Sequence, residues 1–501
     1  MESLEESKNR DLRLESRDFR FQFNASAHDF LGRSGSELDP VDSKFSKAMQ
    51  QLYMRVADKL DLDSSGGLSQ REISLGLTKP NASADEALFC LMVAPRFEIF
   101  SLAKEIADSK YKPSKDTPIA AIQELNENIR KNCVRPEHHF LDCNKDGWIE
   151  QKEIASRLED RQFTVEESKY LLTQESKVIG SAKSFKVSSF ALPSVELEDL
   201  KKIAYLPEPI RYGLQYFAQR QLKSHLERSQ YLNQPLFAQK DSVQPGSVHQ
   251  QGRHNCYWQA AIASIAGINP QKLEEMIMPA NDSGYVVRFP GASDKPIKVS
   301  PLSNAEQLYS SGASKYGAWT GILEKAYGTY RAEHNSHSFS KNEISNTQNT
   351  FGADPSFPNR GRITLQEATD WGFCDDALEL LSDSKKISLF YLREGHEKKV
   401  AKVLEEAMAK RLPMTVETGE PSYPRFGFKA GENKSKLADD HIFSVLNYDA
   451  TTKVVTVRDP RGEETGANIK DELLEPAKDG VLKLRLETFV KYFTCLYRAD
   501  K

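Results

Sequence analysis

Long apolar runs are missing from this sequence: no segment stays hydrophobic for the roughly twenty residues that a bilayer-spanning helix needs. The first twenty positions, MESLEESKNRDLRLESRDFR, are charged throughout and have no apolar core, which excludes a hydrophobic secretory signal. Cysteine is scarce and scattered. Cys90, Cys133, Cys143, Cys256, Cys374 and Cys495 show none of the dense spacing of a disulfide framework, so a reducing, cytoplasmic setting is expected. Export by a route that reads no hydrophobic signal is the one other option that the polar start leaves. Charge of one sign is not in excess either. With 68 Lys and Arg against 72 Asp and Glu, the formal net charge of −4 offers no field for nucleic acid or an anionic membrane. No repeat of solenoid length is present.

What remains is ordinary globular material, 39 % hydrophobic and 28 % charged, enough for about three domains of usual size. Residues 1–42 are polar and aperiodic and end in Gly32-Arg33-Ser34-Gly35-Ser36, the composition of a flexible arm. Residues 43–165 read as helical, led by the stripe Met49, Leu52, Tyr53, Val56 and Leu60. Residues 166–234 read as a helical connector. Over 235–501 helical stretches alternate with strand-like runs such as Ile442–Tyr448 and Val454–Val457, an α+β pattern. The stretch 331–361, rich in Asn, Ser, Gly and Pro, reads as a long loop.

Two segments of the helical region share one pattern. Residues 61–72 are Asp-Leu-Asp-Ser-Ser-Gly-Gly-Leu-Ser-Gln-Arg-Glu, and residues 142–153 are Asp-Cys-Asn-Lys-Asp-Gly-Trp-Ile-Glu-Gln-Lys-Glu. Each sets side-chain oxygens at positions 1, 3, 5, 9 and 12 around a Gly at position 6, as a twelve-residue Ca²⁺ loop requires. A hard cation calls for hard oxygen donors, the glycine permits the sharp turn, and the last glutamate closes the site with both oxygens. The expected Ca²⁺ ligands are Asp61, Asp63, Ser65, the Gly67 carbonyl and Glu72, then Asp142, Asn144, Asp146, the Trp148 carbonyl and Glu153. Ser65 is a weaker donor than the Asp at the same place in the second loop, so the first loop should bind more weakly. The two segments resemble EF-hands.

A second constellation lies in the C-terminal half. Residues 251–267 read Gln-Gly-Arg-His-Asn-Cys-Tyr-Trp-Gln-Ala-Ala-Ile-Ala-Ser-Ile-Ala-Gly, a buried helix with Asn255 as N-cap and Gly267 as C-terminal stop. Cys256 then falls in the first turn, where the positive end of the helix dipole favours a thiolate. His441 opens the strand-like run that returns through Val454–Val457 to Asp459. In a hairpin turning near residue 450, partners have numbers summing to about 900, as 441 and 459 do, so Asp459 is expected opposite His441 and able to orient its imidazole. A one-residue slip would put the two on opposite faces. His254, His334 and His337 read as solvent-exposed, and Cys374 and Cys495 as core positions.

The stretch Cys256–Gly267 resembles the nucleophile helix of papain-like proteases, with the calpain family the nearest likeness. Trp319-Thr-Gly-Ile-Leu-Glu-Lys-Ala-Tyr327 is similar to the calpain segment in which a Trp precedes Leu-Glu-Lys-Ala-Tyr. Leu404–Glu417 resembles the helix and strand leading to the calpain histidine, His441-Ile-Phe-Ser-Val its His-Ala-Tyr-Ser-Val, and Arg458-Asp-Pro-Arg-Gly462 its Arg-Asn-Pro-Trp-Gly. The resemblance implies a papain-like domain of a helical and a β-rich lobe over 235–501, preceded by an all-α EF-hand domain at 43–165. It implies a Cys256–His441–Asp459 triad, with an oxyanion donor at Gln251 by motif or Gln250 by spacing. Four departures stand out. Trp258 comes one residue late behind Tyr257, the Gln-Gly is one residue closer to the cysteine, and Asp459 replaces an Asn. Arg461 replaces a Trp that covers the triad's hydrogen bond, so exposure to water is expected there.

The expected activity is a calcium-responsive cysteine endopeptidase acting on proteins or peptides. Its rivals are a transglutaminase-like acyl transferase and a catalytically degenerate, Ca²⁺-dependent interaction protein. Oligomeric state is not legible.

Overall fold

The computed structural model describes residues 18–25, 44–62, 64–94, 148–150, 184–186, 194–202, 218, 221–251, 255–281, 284–333, 369, 372–382, 384, 386–418, 437, 441–462 and 467–500. They mix helices and strands in an α+β fashion and divide into two compact units, one within Met1–Gln230 with a few later residues and one built mainly from 231–501. Among the described residues no helix is long and apolar enough to cross a membrane.

In the first unit the amphipathic stripe forms α1 (Lys44–Leu60), with Met49, Leu52, Val56 and Leu60 each no more than 2 % exposed. The first acidic loop follows, then the short strand β1 (Leu68–Ser69), α2 (Gln70–Thr78) and α3 (Ala84–Val93). Three more strands follow, β2 (Trp148–Glu150), β3 (Ser184–Lys186) and β4 (Ser194–Val195), the last followed by α4 (Leu197–Lys202); β1 pairs with β4 and β2 with β3. Among the described residues the two acidic loops do not pair with each other. The eighth position of the first, Leu68, lies opposite Val195, and that of the second, Ile149, lies opposite Phe185. The expected all-α region therefore carries two short ladders, because each loop leaves one main-chain edge open and a later segment takes it up.

Part of the expected arm is also ordered. Residues 18–25 are helical, with Phe19 and Phe23 one turn apart, stacked and buried. Arg20 donates to the Gln230 carbonyl, and Ser229 donates to the Asn24 side chain, so this helix is tied to the 221–229 helix of the same unit. A window of polar residues with two phenylalanines at helical spacing is short enough to hide in a compositional reading.

The second unit holds α5 (Cys256–Ile268), α6 (Pro270–Glu275), the small antiparallel sheet β5 (Ile277–Pro279), β6 (Tyr285–Val287) and β7 (Ile297–Val299), then α7 (Trp319–Glu333) and α8 (Cys374–Ser382). Its remainder is β8 (Lys386–Tyr391), α9 (Glu397–Lys410), β9 (Met414–Glu417), β10 (Ile442–Asp449), β11 (Val454–Arg458), β12 (Val481–Arg485), α10 (Leu486–Tyr492) and β13 (Cys495–Asp500). These six strands form one antiparallel sheet in the order β12-β11-β10-β9-β13-β8.

Two cores result. One gathers α5, α7 and α8, and the other packs α9 and α10 on the sheet. Alternation along β10 joins them: Phe443 and Val445 enter the sheet core, whereas Ser444 turns to α5 and donates to the Ala260 carbonyl at 2.9 Å. From the helix side, Ser264 accepts the Met414 N–H at 2.9 Å. Such contacts are open to a helix that is apolar all round and rich in alanine, so α5 is buried on every face from Tyr257 to Ala266. Gly267 does not stop it. The helix runs on to Ile268, and a Cβ at Gly267 would lie 3.2 Å from Pro245, so its smallness serves a close approach.

Candidate functional site

Cys256 is the first residue of α5, as expected, but Asn255 does not cap the helix with its side chain. Its backbone (φ −119°, ψ 32°) is not the extended form of an N-cap, and its amide donates to Thr369 Oγ1 at 3.2 Å instead. The Asn255 carbonyl still accepts the Trp258 and Gln259 N–H groups, leaving the N–H of Cys256 without an acceptor inside the helix. Behind the cysteine the helical lobe grips α5 firmly. Trp258 stacks on Tyr327 at 3.8 Å between ring centroids, and the Tyr257 hydroxyl donates to the Thr369 carbonyl while accepting from Arg331. Gln259 donates to Glu324, which also accepts from Ser311. The Leu323–Tyr327 segment thus braces the helix that carries the thiol.

His441 stands immediately before β10, with its ring edge-to-face on Phe443 at 5.1 Å. Its Nε2 meets Asp459 Oδ1 at 2.8 Å, and Cys256 lies close enough to the ring to help raise its pKa. With Nε2 taken by Asp459, Nδ1 is the nitrogen left for the sulfur. Burial opposes a charge on this imidazole, but Asp459 and Cys256 outweigh it and raise its pKa above the ordinary 6.5. Burial opposes the charge of Asp459 as well, yet hydrogen bonds from His441 and Arg461 hold that carboxyl well below the usual carboxylate range.

The hairpin does not have the expected register. Tyr448 pairs with Val455, so the turn is centred between residues 451 and 452, and an irregularity between Val445 and Asn447 then brings Ser444 opposite Arg458. Extended past Arg458, this ladder puts Asp459 beside Phe443, two residues from His441. An offset of two keeps both side chains on one face, and they meet diagonally.

Arg461 also differs from expectation. It does not leave the His441–Asp459 pair open to water: Asp459 is 0 % and His441 6 % exposed. The Arg461 backbone N–H donates to Asp459 Oδ1 at 2.8 Å, its Nε lies 3.2 and 3.3 Å from the two carboxylate oxygens, and its Nη2 donates to Oδ2 at 2.9 Å. A guanidinium fork grips the carboxylate where exposure to water was expected. Arg458, next in line, is fully buried; its Nε donates to the Asp479 carbonyl, and burial pulls its pKa down to about 10.

The Gln250 N–H donates to the Pro460 carbonyl at 2.7 Å, which ties the Gln-Gly stretch to the loop bearing Asp459 and Arg461. Gln250 and Gln251 are both half-buried, and Gly252, Arg253 and His254 lie outside the described residues, so neither glutamine is singled out as oxyanion donor. His334 and His337 also lie outside them, as does most of 331–361. Of the described cysteines, Cys90, Cys374 and Cys495 are buried, and burial raises all three thiols, Cys495 to about 12. Cys256 alone among them is partly exposed.

The first acidic loop has the turn its sequence requires, with Gly66 at φ +83°. Asp61 accepts the Ser65 and Gly66 N–H groups, and Ser65 donates to the Gly67 carbonyl. Glu72, 3 % exposed, reaches back to accept the Leu62 and Ser69 N–H groups at 2.6 and 2.8 Å and makes a capping box with Ser69. The donor set is all oxygen and preshaped, which suits a hard cation. Among the described residues no three carboxylate, histidine or cysteine groups converge on a metal site. Asp61 and Glu72 supply two carboxylates, and the third expected one, Asp63, lies outside the described residues. So do Asp142, Asn144, Asp146 and Glu153 of the second loop, of which Trp148 is placed only as backbone of β2.

Serine and arginine partners were the part that sequence reading missed. Ser444, Ser264 and Arg461 lie within stretches already singled out, but only the fold shows what each one reaches. No protein-family model matches the chain, and no curated protein matches it either.

Proposed function

We propose that the chain is a cysteine endopeptidase of papain-like design, resembling calpains, with a Ca²⁺-binding region ahead of its protease unit. The observation that carries this reading is the unbroken series from a partly exposed Cys256, at a helix N-terminus, through His441 to a buried Asp459.

Cys256 gives its proton to His441 Nδ1 and attacks the scissile carbonyl carbon, while Asp459 holds the charged ring through Nε2. The oxyanion takes the Cys256 N–H and the amide of Gln251 or Gln250. Collapse forms a thioester, and the leaving amine takes the proton from His441. His441 then draws a proton from water, hydroxide adds to the thioester carbon, and collapse releases the acid and the thiolate, which His441 pairs again.

The test is cleavage of casein by wild type and Cys256→Ala, with and without Ca²⁺. Turnover is expected in the wild type and lost in the variant; equal activity of the two proteins would sink the catalytic reading. Amine incorporation into casein without cleavage would favour acyl transfer, for which an Asp459-type third residue is equally suited.

Asp61, Ser65, the Gly67 carbonyl and Glu72 would hold Ca²⁺, which when bound supplies charge that draws the loop closed. Glu72→Gln is expected to weaken Ca²⁺ binding by about 10–100-fold in isothermal titration, because one oxygen of the closing carboxylate becomes an amide. Unchanged affinity would remove this loop from the ligand set.

A further inference from the structure

We propose that Arg461 is a positioning residue of this site, one that clamps Asp459 so that Oδ1 points at His441 and shares the carboxylate's charge between two cations. This rests on the reading of Cys256, His441 and Asp459 as the catalytic series. The geometry behind it is a closed fan on one buried carboxylate. Oδ1 receives His441 Nε2 and the Arg461 N–H, each at 2.8 Å, and Oδ2 receives Arg461 Nη2 at 2.9 Å. Four contacts from one residue, with the carboxylate itself 0 % exposed, leave Asp459 no freedom to rotate away from the imidazole.

The charge balance gives the clamp a chemical meaning. An amide in this place orients a histidine without adding charge. A lone buried carboxylate would hold the imidazolium so tightly that returning its proton to the leaving amine becomes unfavourable. A guanidinium on the far side of the carboxylate draws off part of that field, so an acid–arginine pair does the orienting work of an amide with a nearly neutral sum. Among the described residues the other charged or titratable groups facing the pair are few. Arg458 lies beneath Asp459 on β11 with Asp479 beside it, His249 packs against Gly462 of the same turn, and Cys256 meets the other side of His441 from α5. Arg458 is fully buried while the Arg461 side chain is 31 % exposed, so Arg461 can be exchanged with little effect on packing.

The experiment compares wild type, Arg461→Lys, Arg461→Gln, Asp459→Asn and the Asp459→Asn/Arg461→Gln double variant, each checked for folding by circular dichroism. Two readouts are followed against pH: alkylation of Cys256 by iodoacetamide, measured on its peptide by mass spectrometry, and kcat and KM on a casein-derived peptide. In Arg461→Gln the unshared carboxylate retains the imidazolium proton, so the alkaline limb moves up by about one pH unit and kcat falls about tenfold with KM nearly unchanged. Arg461→Lys, which keeps the charge without the fork, restores the limb and only part of kcat. In the Asp459→Asn background, Arg461→Gln moves neither by more than about twofold, since the clamp has lost its carboxylate. An unshifted limb in Arg461→Gln, or the same effect in both backgrounds, overturns the proposal. If Cys256 of the wild type reacts no faster than an ordinary thiol, it is the underlying catalytic reading that fails.

Discussion

Asp459→Ala is expected to lower kcat on peptide substrates by about 10²–10⁴-fold and to move the alkaline limb of its pH profile down. The size follows from what the carboxylate does. It is the acceptor that fixes His441 Nε2, at 2.8 Å, and its removal leaves the ring free to turn away from Cys256. It also leaves Arg461 in place, with a guanidinium now facing the imidazole and no anion between them. A cation beside an incipient cation disfavours imidazolium, so the thiolate–imidazolium pair breaks down at lower pH. Asp459→Asn keeps an acceptor and should lose far less, about tenfold. The pH signs are opposite for the two groups. The His441 pKa is raised, so its coupling to the fold is complete below about pH 6.5 and is lost as pH rises through the raised value. That of Asp459 is depressed, so its contribution is complete above the ordinary carboxylate value of 3.8 and is lost only in strong acid. Rates of Cys256 alkylation across pH check the assignment without needing turnover. An alanine variant with the wild-type limb would mean that Asp459 does not act on His441.

Much of this site was legible because its parts sit at ends of strongly patterned elements. The apolar, alanine-rich run after Cys256 has one physical solution, a buried helix beginning at the thiol. Ile442–Tyr448 and Val454–Val457 are strands by β-branching and alternation, and α1 follows from its stripe. The hairpin register was not legible, because the irregularity between Val445 and Asn447 has no composition of its own. It was by parity that His441 and Asp459 met at all: a total offset of two residues preserved their common face, where an offset of one would have separated them. The partner of Arg461 was hidden for a different reason. Two positions after an acid, an arginine on a turn usually reaches solvent, and only the fold of Asp459–Gly462 brings it back onto the carboxylate. Likewise the partners of β1 and β2 lie far along the chain and are only two or three residues long, too short for a strand pattern to show.

The largest stability effect is expected at Lys325, on the segment that braces α5, the helix that begins at Cys256. Its ammonium, 6 % exposed, donates to Glu306 at 3.0 Å, to Ser300 Oγ at 3.0 Å and toward the Pro301 carbonyl, so its three protons are all spent inside the second unit. Glu306 is 1 % exposed. Lys325→Met keeps the length and volume of the side chain but withdraws the counter-charge from a buried carboxylate, at about 3–5 kcal/mol, or a loss of roughly 10 °C in Tm for a unit of this size. The double variant Lys325→Met/Glu306→Leu removes both charges and should recover a large part of that loss, because what is costly is a buried carboxylate that has lost its ammonium and not the missing attraction. Function should follow stability indirectly. Tyr327, two residues on, stacks on Trp258, and Glu324 holds Gln259, so loosening α7 lets α5 shift and pulls Cys256 away from His441. Calorimetric melting of both variants, set beside the rate of Cys256 alkylation at a temperature where each is folded, separates the two effects. A Lys325→Met protein that melts with the wild type would show that the pair contributes nothing; one that melts early yet alkylates at the wild-type rate would show that the brace holds the unit together without positioning its thiol.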